Sequence, residues 1–200
     1  MNGLFNYVEF IKGVPMLFVK HERYVVVGDL HIGTEFKMRE KGIYVAGNAA
    51  EMARRINSAC YAMHSNGVVF LGDVKESVSY PLDEEKSEIV KFFSALDQKN
   101  IIIAKGNHDA YLEEIIGEDR AKIQKEILLH DVALMHGNAM PSGEAIEKKV
   151  LVLAHGHMSI EINGAKEKVW IVARGKRKGN YAVLVSAFND LVTGGTIARG

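Results

Sequence analysis

The chain has 200 residues, 48% of them hydrophobic and 25% charged, a composition that supports a buried core and excludes a disordered or low-complexity chain. Lysine plus arginine and aspartate plus glutamate balance at 25 each, so no global charge is available to capture nucleic acid or an anionic membrane. The one cysteine, Cys60, excludes an internal disulfide and fits a reducing, cytoplasmic setting, and no apolar run approaches the ~20 residues that span a bilayer. From the N-terminus, "MNGLFNYVEFIKG" has Glu9 and Lys12 inside its apolar stretch and lacks a signal-peptide layout. "MLFVKHERYVVVGD" reads as two short strands joined by a polar turn. "GNAAEMARRINSACYAMHSNG" sets Met52, Ile56, Cys60 and Met63 on the stripe of an amphipathic helix, with Gly67 as its expected C-terminal stop. "VVFLGD" is a strand, and "PLDEEKSEIVKFFSALDQKN" is a second helix whose first turn is acidic, where the helix dipole favours negative charge. "IIIAKGNHD", "VALMHG", "KVLVLAHGH", "KVWIVARG" and "YAVLVSAFN" read as five further strands. "RGKRKG" gathers Arg174, Lys176, Arg177 and Lys178 and reads first as a solvated hairpin loop, with a phosphate-contacting patch as the alternative.

Most of these strands are continuous Val, Ile and Leu runs, so both of their faces are expected to be buried. Strands alternate with helices in the first half and dominate the second, which predicts a layered α/β domain with its sheets covered by helices. With no internal repeat, linker or Gly/Ser tract, residues 1–200 read as a single domain.

Polar residues of ligand and acid–base type collect where these strands end. Asp29 and His31 follow the first, Asp73 the second, Asn107, His108 and Asp109 the third, His136 the fourth, and His155 and His157 the fifth. In open α/β sheets the carboxyl ends of strands aim side chains into a crevice. Carboxylate, imidazole and amide oxygen make a mixed N/O donor set suited to Mn, Fe, Zn or Ni rather than to a thiolate zinc or an all-oxygen calcium site. Asp29 and His31 are two apart, so on an extended backbone they point the same way and can share an ion; His155 and His157 have the same spacing. One metal takes about four to six ligands. Asp29, His31, Asp73, Asn107, His136, His155 and His157 together are therefore better matched to two ions sharing a carboxylate. Singly, each of these residues is a common turn or cap; the ordered set is what carries the reading.

In that order, D-x-H, G-D, G-N-H-D, H and a histidine pair, the chain resembles the calcineurin-like metallophosphoesterases. "DLHIGTEFKMREKGI", "GDVK" and "LVSAFNDLVTGG" are similar to its small single-domain branch, which includes ligase-associated DNA-repair endonucleases and their archaeal relatives. The resemblance implies a four-layer α/β/β/α sandwich of two mixed sheets flanked by helices. It implies two divalent ions, Mn²⁺ first, with Zn²⁺, Fe²⁺ or Ni²⁺ as alternatives. One would be held by Asp29, His31, Asp73 and His157, the other by Asp73, Asn107, His136 and His155. His108 corresponds to the catalytic histidine and Asp109 to the residue that orients it. The closing motif G-H-x-H can be laid on "A-H-G-H", keeping His155 and His157, or one step later on "G-H-M-S", putting Ser159 at a ligand position; the first is favoured because it retains both imidazoles. Glu76 stands where relatives of this branch often carry histidine, and Ser186 where proline is common; neither is among the mapped ligands. His21, His64 and His130 lie outside the pattern and read as surface or packing residues.

The expected reaction is two-metal hydrolysis of a phosphodiester by a bridging hydroxide, with His108 protonating the leaving oxygen. DNA, RNA or a nucleotide is the expected substrate and no membrane is involved; the residues that would bind it are not identified. A small-molecule phosphatase and a non-catalytic scaffold on the same fold are the alternatives. Retention of Asn107, His108 and the other candidate ligands counts against the scaffold.

Overall fold

The computed structural model describes residues 3–175, 179–192, 194 and 195. β1 (Val8–Phe10), β2 (Met16–Val19) and β3 (Tyr24–Val27) form an antiparallel meander. α1 (Thr34–Glu40) and α2 (Ala49–Ala62) lead to β4 (Gly67–Phe70), α3 (Asp83–Ala95) to β5 (Ile101–Ala104), and α4 (Leu112–Ile116) to β6 (Lys122–Gln124). β3 to β6 run parallel, giving a mixed six-stranded sheet in the order β1-β2-β3-β4-β5-β6. The chain continues through β7 (Ile127–Leu128), β8 (Val132–Met135), α5 (Gly143–Glu147) and β9 (Val150–Leu153). A hairpin of β10 (Ser159–Ile162) and β11 (Ala165–Lys168) precedes β12 (Ile171–Arg174) and β13 (Tyr181–Leu184). The second mixed sheet has the order β12-β13-β9-β8-β7.

The period-two alternation of strand side chains assigns the layers. Val25, Val27, Val68, Phe70, Ile101 and Ile103 share a core with the helices, whereas Val26, Val69, Leu71 and Ala104 pack against Leu134, Val152 and Val183 of the second sheet. On α2 the stripe buries Met52, Ile56 and Cys60, with Ala49, Ala53 and Ala59 completing the face. Each large apolar side chain so buried contributes about 1.5–3 kcal/mol relative to exposure, and Ile56→Ala would cost about 2–5 kcal/mol. On the outer face of the second sheet the layer is reduced to the five residues of α5, which leaves Leu151 and Leu153 half-buried.

Several local expectations are corrected. α2 ends at Ala62, capped by Met63, with the left-handed turn at His64; Gly67 instead opens β4, where a side chain would press on the Asn100 carbonyl. β12, expected to be buried on both faces, has two half-buried and two exposed residues. Of the basic cluster, Arg174 ends β12 and is exposed, while Lys176, Arg177 and Lys178 lie outside the described residues.

Register is what positions the site. Val27 pairs with Phe70 and Phe70 with Ile103, so the carboxyl ends of β3, β4 and β5 are level. In the second sheet Met135 pairs with Leu153, levelling β8 and β9. The segments carrying the nine candidate residues Asp29, His31, Asp73, Asn107, His108, Asp109, His136, His155 and His157 all leave these ends.

Candidate metal centre

Asp73, two residues past Leu71 and 1% exposed, is the hub. Its Oδ1 accepts the His108 amide at 3.0 Å. Its Oδ2 lies 3.2 Å from His136 Nε2 and 3.6 Å from His31 Nε2. Around His136 Nε2 stand His155 Nδ1 at 3.0 Å and Asn107 Oδ1 at 3.3 Å. On the other side of Asp73, His31 Nε2 is 3.2 Å from His157 Nε2, which is 3.3 Å from Asp29 Oδ1. Two donor groups result, Asp29–His31–Asp73–His157 and Asp73–His136–His155, with the ligand atoms of each within 4.8 Å of one another and Asp73 in both. The pair His155 and His157, equally spaced with Asp29 and His31 in sequence, is thus divided between the groups. Ser159 is buried at the start of β10 and its hydroxyl donates to the Gly195 carbonyl at 3.3 Å.

The donor set is short of protons, and this is the test of whether a cation fits. His136 Nδ1 donates to the Leu71 carbonyl at 2.7 Å, so in the neutral ring Nε2 presents a lone pair. That lone pair faces a carboxylate oxygen and an amide oxygen. His31 Nδ1 lies 2.7 Å from Glu76 Oε2, whose negative charge favours a proton on that nitrogen and leaves the Nε2 lone pair toward Asp73 and His157. Converging lone pairs repel unless a proton or metal ion sits among them. Without metal, protons take that place. Burial lowers His136, but the hydrogen bond and charge of Asp73 more than offset it and raise its pKa above the ordinary imidazole value. Burial likewise works to raise Asp73, and His136 and the His108 amide hold it down at about 2. His155 is lowered by burial and by the neighbouring His136 charge.

The backbone is strained where the ligands sit. Asp29 (φ 52°), His31 (φ 41°), Asp73 (φ 47°), His155 (φ 66°) and His157 (φ 42°) are five of the nine non-glycine residues with positive φ among the described residues. Asp and His tolerate this region better than most residues, yet each such position costs on the order of 1 kcal/mol or more and persists only where surrounding structure enforces it. The common orientation expected from an extended backbone therefore arises differently: left-handed residues turn the side chains inward. Enforcement is visible in amides aimed at carboxylates. Asp29 takes the His155 amide at 3.2 Å on both oxygens. Gly72 (φ +75°) and Gly106 let the β4 and β5 ends touch, since a Cβ on Gly72 would lie 2.6 Å from the Gly106 nitrogen.

Asp109, expected to orient His108, makes its side-chain hydrogen bonds to backbone amides. Its two oxygens accept the amides of Val74 and Gly106, each at 2.8 Å, so it staples the loop after β4 to the loop after β5; burial raises its pKa against those two bonds. The group against His108 Nδ1 is the Glu76 carbonyl, at 2.5 Å. His108 Nε2 points toward Asp73, 4.0 Å from Oδ2.

Three residues outside the candidate set brace the centre. Glu76 binds His31 and also Lys37 Nζ at 2.5 Å, and with His31 and His108 forms a third group of close donors. Burial works to raise its carboxyl, but His31 and Lys37 hold it at about 2. Fully buried Lys75 reaches the carbonyls of Ser77 and Ser79, the latter at 2.9 Å, and so fixes the loop that follows Glu76. Asn189, fully buried, donates to the Leu30 carbonyl at 2.8 Å and the His31 carbonyl at 3.3 Å, holding the strained Asp29–His31 turn. Its place inside the "AFND" string was the only signal. His21 and His130 stack on each other at the surface, 4.9 Å between centroids, and His64 is exposed.

The profile of the family described as calcineurin-like phosphoesterase matches residues 22–193. Among solved structures, the chain is similar to the nuclease MPE of Pseudomonas putida, with a TM-score of 0.66 and 17% identity over 93% of this chain and 84% of that one. It is also similar to Yfce, a phosphoesterase from E. coli, with a TM-score of 0.47 and 15% identity over 82% of this chain and 79% of the other. No curated protein sequence matches it significantly.

Proposed function

The chain belongs to the calcineurin-like phosphoesterase family, and from that premise, which makes it a metal-dependent phosphoesterase, we propose that it is a phosphodiesterase for nucleic-acid or nucleotide substrates working with two divalent ions. The observation that carries the dinuclear reading is the pair of donor groups sharing the Asp73 carboxylate. Asp29, His31, Asp73 and His157 would hold one ion, and Asp73, Asn107, His136 and His155 the other. Imidazole with carboxylate and amide oxygen suits Mn²⁺ first, then Zn²⁺, Fe²⁺ or Ni²⁺. Bound there, divalent ions supply Lewis acidity, making water nucleophilic at neutral pH and polarising phosphoryl oxygens. On the substrate side, support comes from the branch resemblance and from the P. putida protein of the same fold being a nuclease. One continuous layer of side chains between the two sheets supports residues 1–200 acting as a single domain.

The chain's own residues divide the remaining work. The Glu76 carbonyl keeps the proton on His108 Nδ1, so Nε2 is the atom that exchanges a proton. From beside Asp73 it donates to the leaving oxygen. Asp109 acts on the same site indirectly, by holding the loops that carry Asp73 and Asn107 together. His108→Ala should therefore depress hydrolysis of alkyl diesters, which have poor leaving groups, far more than that of nitrophenyl diesters. Equal losses would reduce His108 to a positioning residue.

The test is hydrolysis of bis-(p-nitrophenyl) phosphate beside p-nitrophenyl phosphate, with metal-stripped protein given Mn²⁺, Zn²⁺, Ni²⁺ or Mg²⁺ in turn. Metal-dependent turnover of the diester over the monoester is expected. A preference for the monoester would make the protein a small-molecule phosphatase. Silence on both, from protein that binds two ions, would make it a scaffold.

A further inference from the structure

A cavity of about 550 Å³ is lined by Lys105, Lys125, Leu128, Met135, Asn138 and Met140 among others. Two of its wall residues are chain neighbours of candidate site residues: Gly106, which also lines it, precedes Asn107, and Met135 precedes His136. The volume falls in the ~300–1,000 Å³ range of small-ligand sites.

Its charge is set by two lysines at adjoining strand ends. Ala104 pairs with Gln124 in the β5–β6 register, and the Lys105 amide donates to the Gln124 carbonyl at 2.8 Å. Lys105 and Lys125 therefore leave neighbouring strands side by side, about 4.8 Å apart in the backbone. Both are exposed, and neither side chain has a hydrogen-bond or ion-pair partner among the described residues. The carboxylate in the cavity wall, Glu126, is turned to the Ser142 amide, which it accepts at 2.7 Å. Like charges left adjacent and unneutralised repel, and an anion relieves them. Beside polar Asn138 and Ser142, the wall carries apolar and thioether side chains: buried Met135, Leu128, and Met140, which is 87% exposed. Flexible methionine sulfur packs well on flat aromatic rings.

We propose that this cavity receives the base and sugar next to the scissile phosphate, and that Lys105 and Lys125 together grip the following phosphate of a single-stranded oligonucleotide. The proposal rests on the phosphodiesterase reading and names its substrate class. A single strand is required because a paired, stacked base cannot enter a concave pocket.

The test separates binding from turnover. Metal-stripped protein, which does not hydrolyse, is titrated with fluorescently labelled oligothymidylate of four nucleotides while anisotropy is followed at several salt concentrations. Lys105→Ala/Lys125→Ala should weaken binding at least tenfold and flatten the log K against log [salt] slope by about 0.7, the loss of one phosphate contact on a single strand. Lys99→Ala, an exposed lysine on the chain entering β5, is the control and should bind as the parent does. With Mn²⁺ restored, the ratio of kcat/KM for the oligonucleotide to that for bis-(p-nitrophenyl) phosphate should fall at least tenfold in the double variant. Thermal melting confirms that the variant is folded. Parent protein that fails to bind the oligonucleotide, or a double variant indistinguishable from Lys99→Ala, overturns the proposal. If the parent binds through these lysines but cleaves no diester with any ion, the subsite stands and the phosphodiesterase reading falls.

Discussion

Gly106→Ala isolates the geometry of the shared carboxylate from every change of charge. Gly106 is outside the positive-φ glycines, so alanine meets no backbone penalty there. Its Cβ would fall on the Asp73 amide nitrogen and Oδ1 and lie 3.1 Å from Asp73 Cγ. Non-bonded carbon atoms prefer about 3.5–4.0 Å, so the loops after β4 and β5 must part by roughly 1 Å. Misplacement of that size at a reacting centre costs about 100-fold in rate, or about 2.7 kcal/mol of transition-state stabilisation. The overpacking itself should destabilise the fold by about 1–3 kcal/mol, lowering Tm by roughly 2–4 °C per kcal/mol for a chain of this size. The assay is kcat/KM on bis-(p-nitrophenyl) phosphate at saturating Mn²⁺, with calorimetric Mn²⁺ titration and a melting curve. Gly143→Ala, where an added Cβ meets nothing within 4 Å, is the matched control. A Gly106→Ala protein that keeps its activity within threefold of that control would refute the claim that Asp73 must stand where it does.

Three further outcomes follow from the contacts around the centre. Glu76→Gln keeps the side chain's size but removes the charge that fixes His31 Nδ1–H; Mn²⁺ affinity by titration should fall about 10–100-fold, as for other residues behind metal ligands, and an unchanged value would free His31 from Glu76. Asn189→Ala leaves the buried carbonyls of Leu30 and His31 without their partner; urea denaturation should show a loss of about 1–3 kcal/mol per orphaned group, and a change within error would contradict the bracing role. The pH dependence has a definite sign. His136 is raised, so in metal-free protein its pairing with Asp73 contributes stability below the unfolded imidazole value of about 6.5 and loses it as pH rises through the folded value. Asp73, held at about 2, keeps its side of the pair until pH falls below the unfolded carboxylate range. Metal must displace the His136 proton, so the Tm increase produced by Mn²⁺ should grow from pH 5 to 8; a constant increase would show that no proton is displaced.

How much of this was legible follows from what a sequence encodes locally. Asp29, Asp73, Asn107, His136 and His155 stood out because each follows an unbroken apolar run, and parallel pairing with level registers converts that pattern into proximity. α1 was missed because seven residues hold too few turns for periodicity to register. β10 and β11 were missed because their exposed, polar positions carry no strand-like apolar run. Gly67 was misread as a helix stop because the left-handed turn fell on His64, a residue with no such preference as strong as glycine's. The inward turn of the ligands was invisible for the same reason. Asp109 looked like a partner for its neighbour His108, but its carboxylate reaches amides on two loops, which only tertiary structure brings within range. Glu76 and Asn189 lie in quoted motif strings, but they act through long-range contacts that no local pattern encodes.

The five left-handed candidate ligands also bear on how such a protein can change over generations. At each of these positions glycine would relax the backbone by about 1 kcal/mol, while deleting a donor to the centre. His155→Gly or His157→Gly trades activity for stability, the usual direction of that compromise. Once selection for hydrolysis is lifted, mutational drift at these positions runs downhill, and the folded chain that remains keeps its two sheets and its surface. A catalyst built this way has a short route to an inert descendant, and the route back, against the strain, is the steep one.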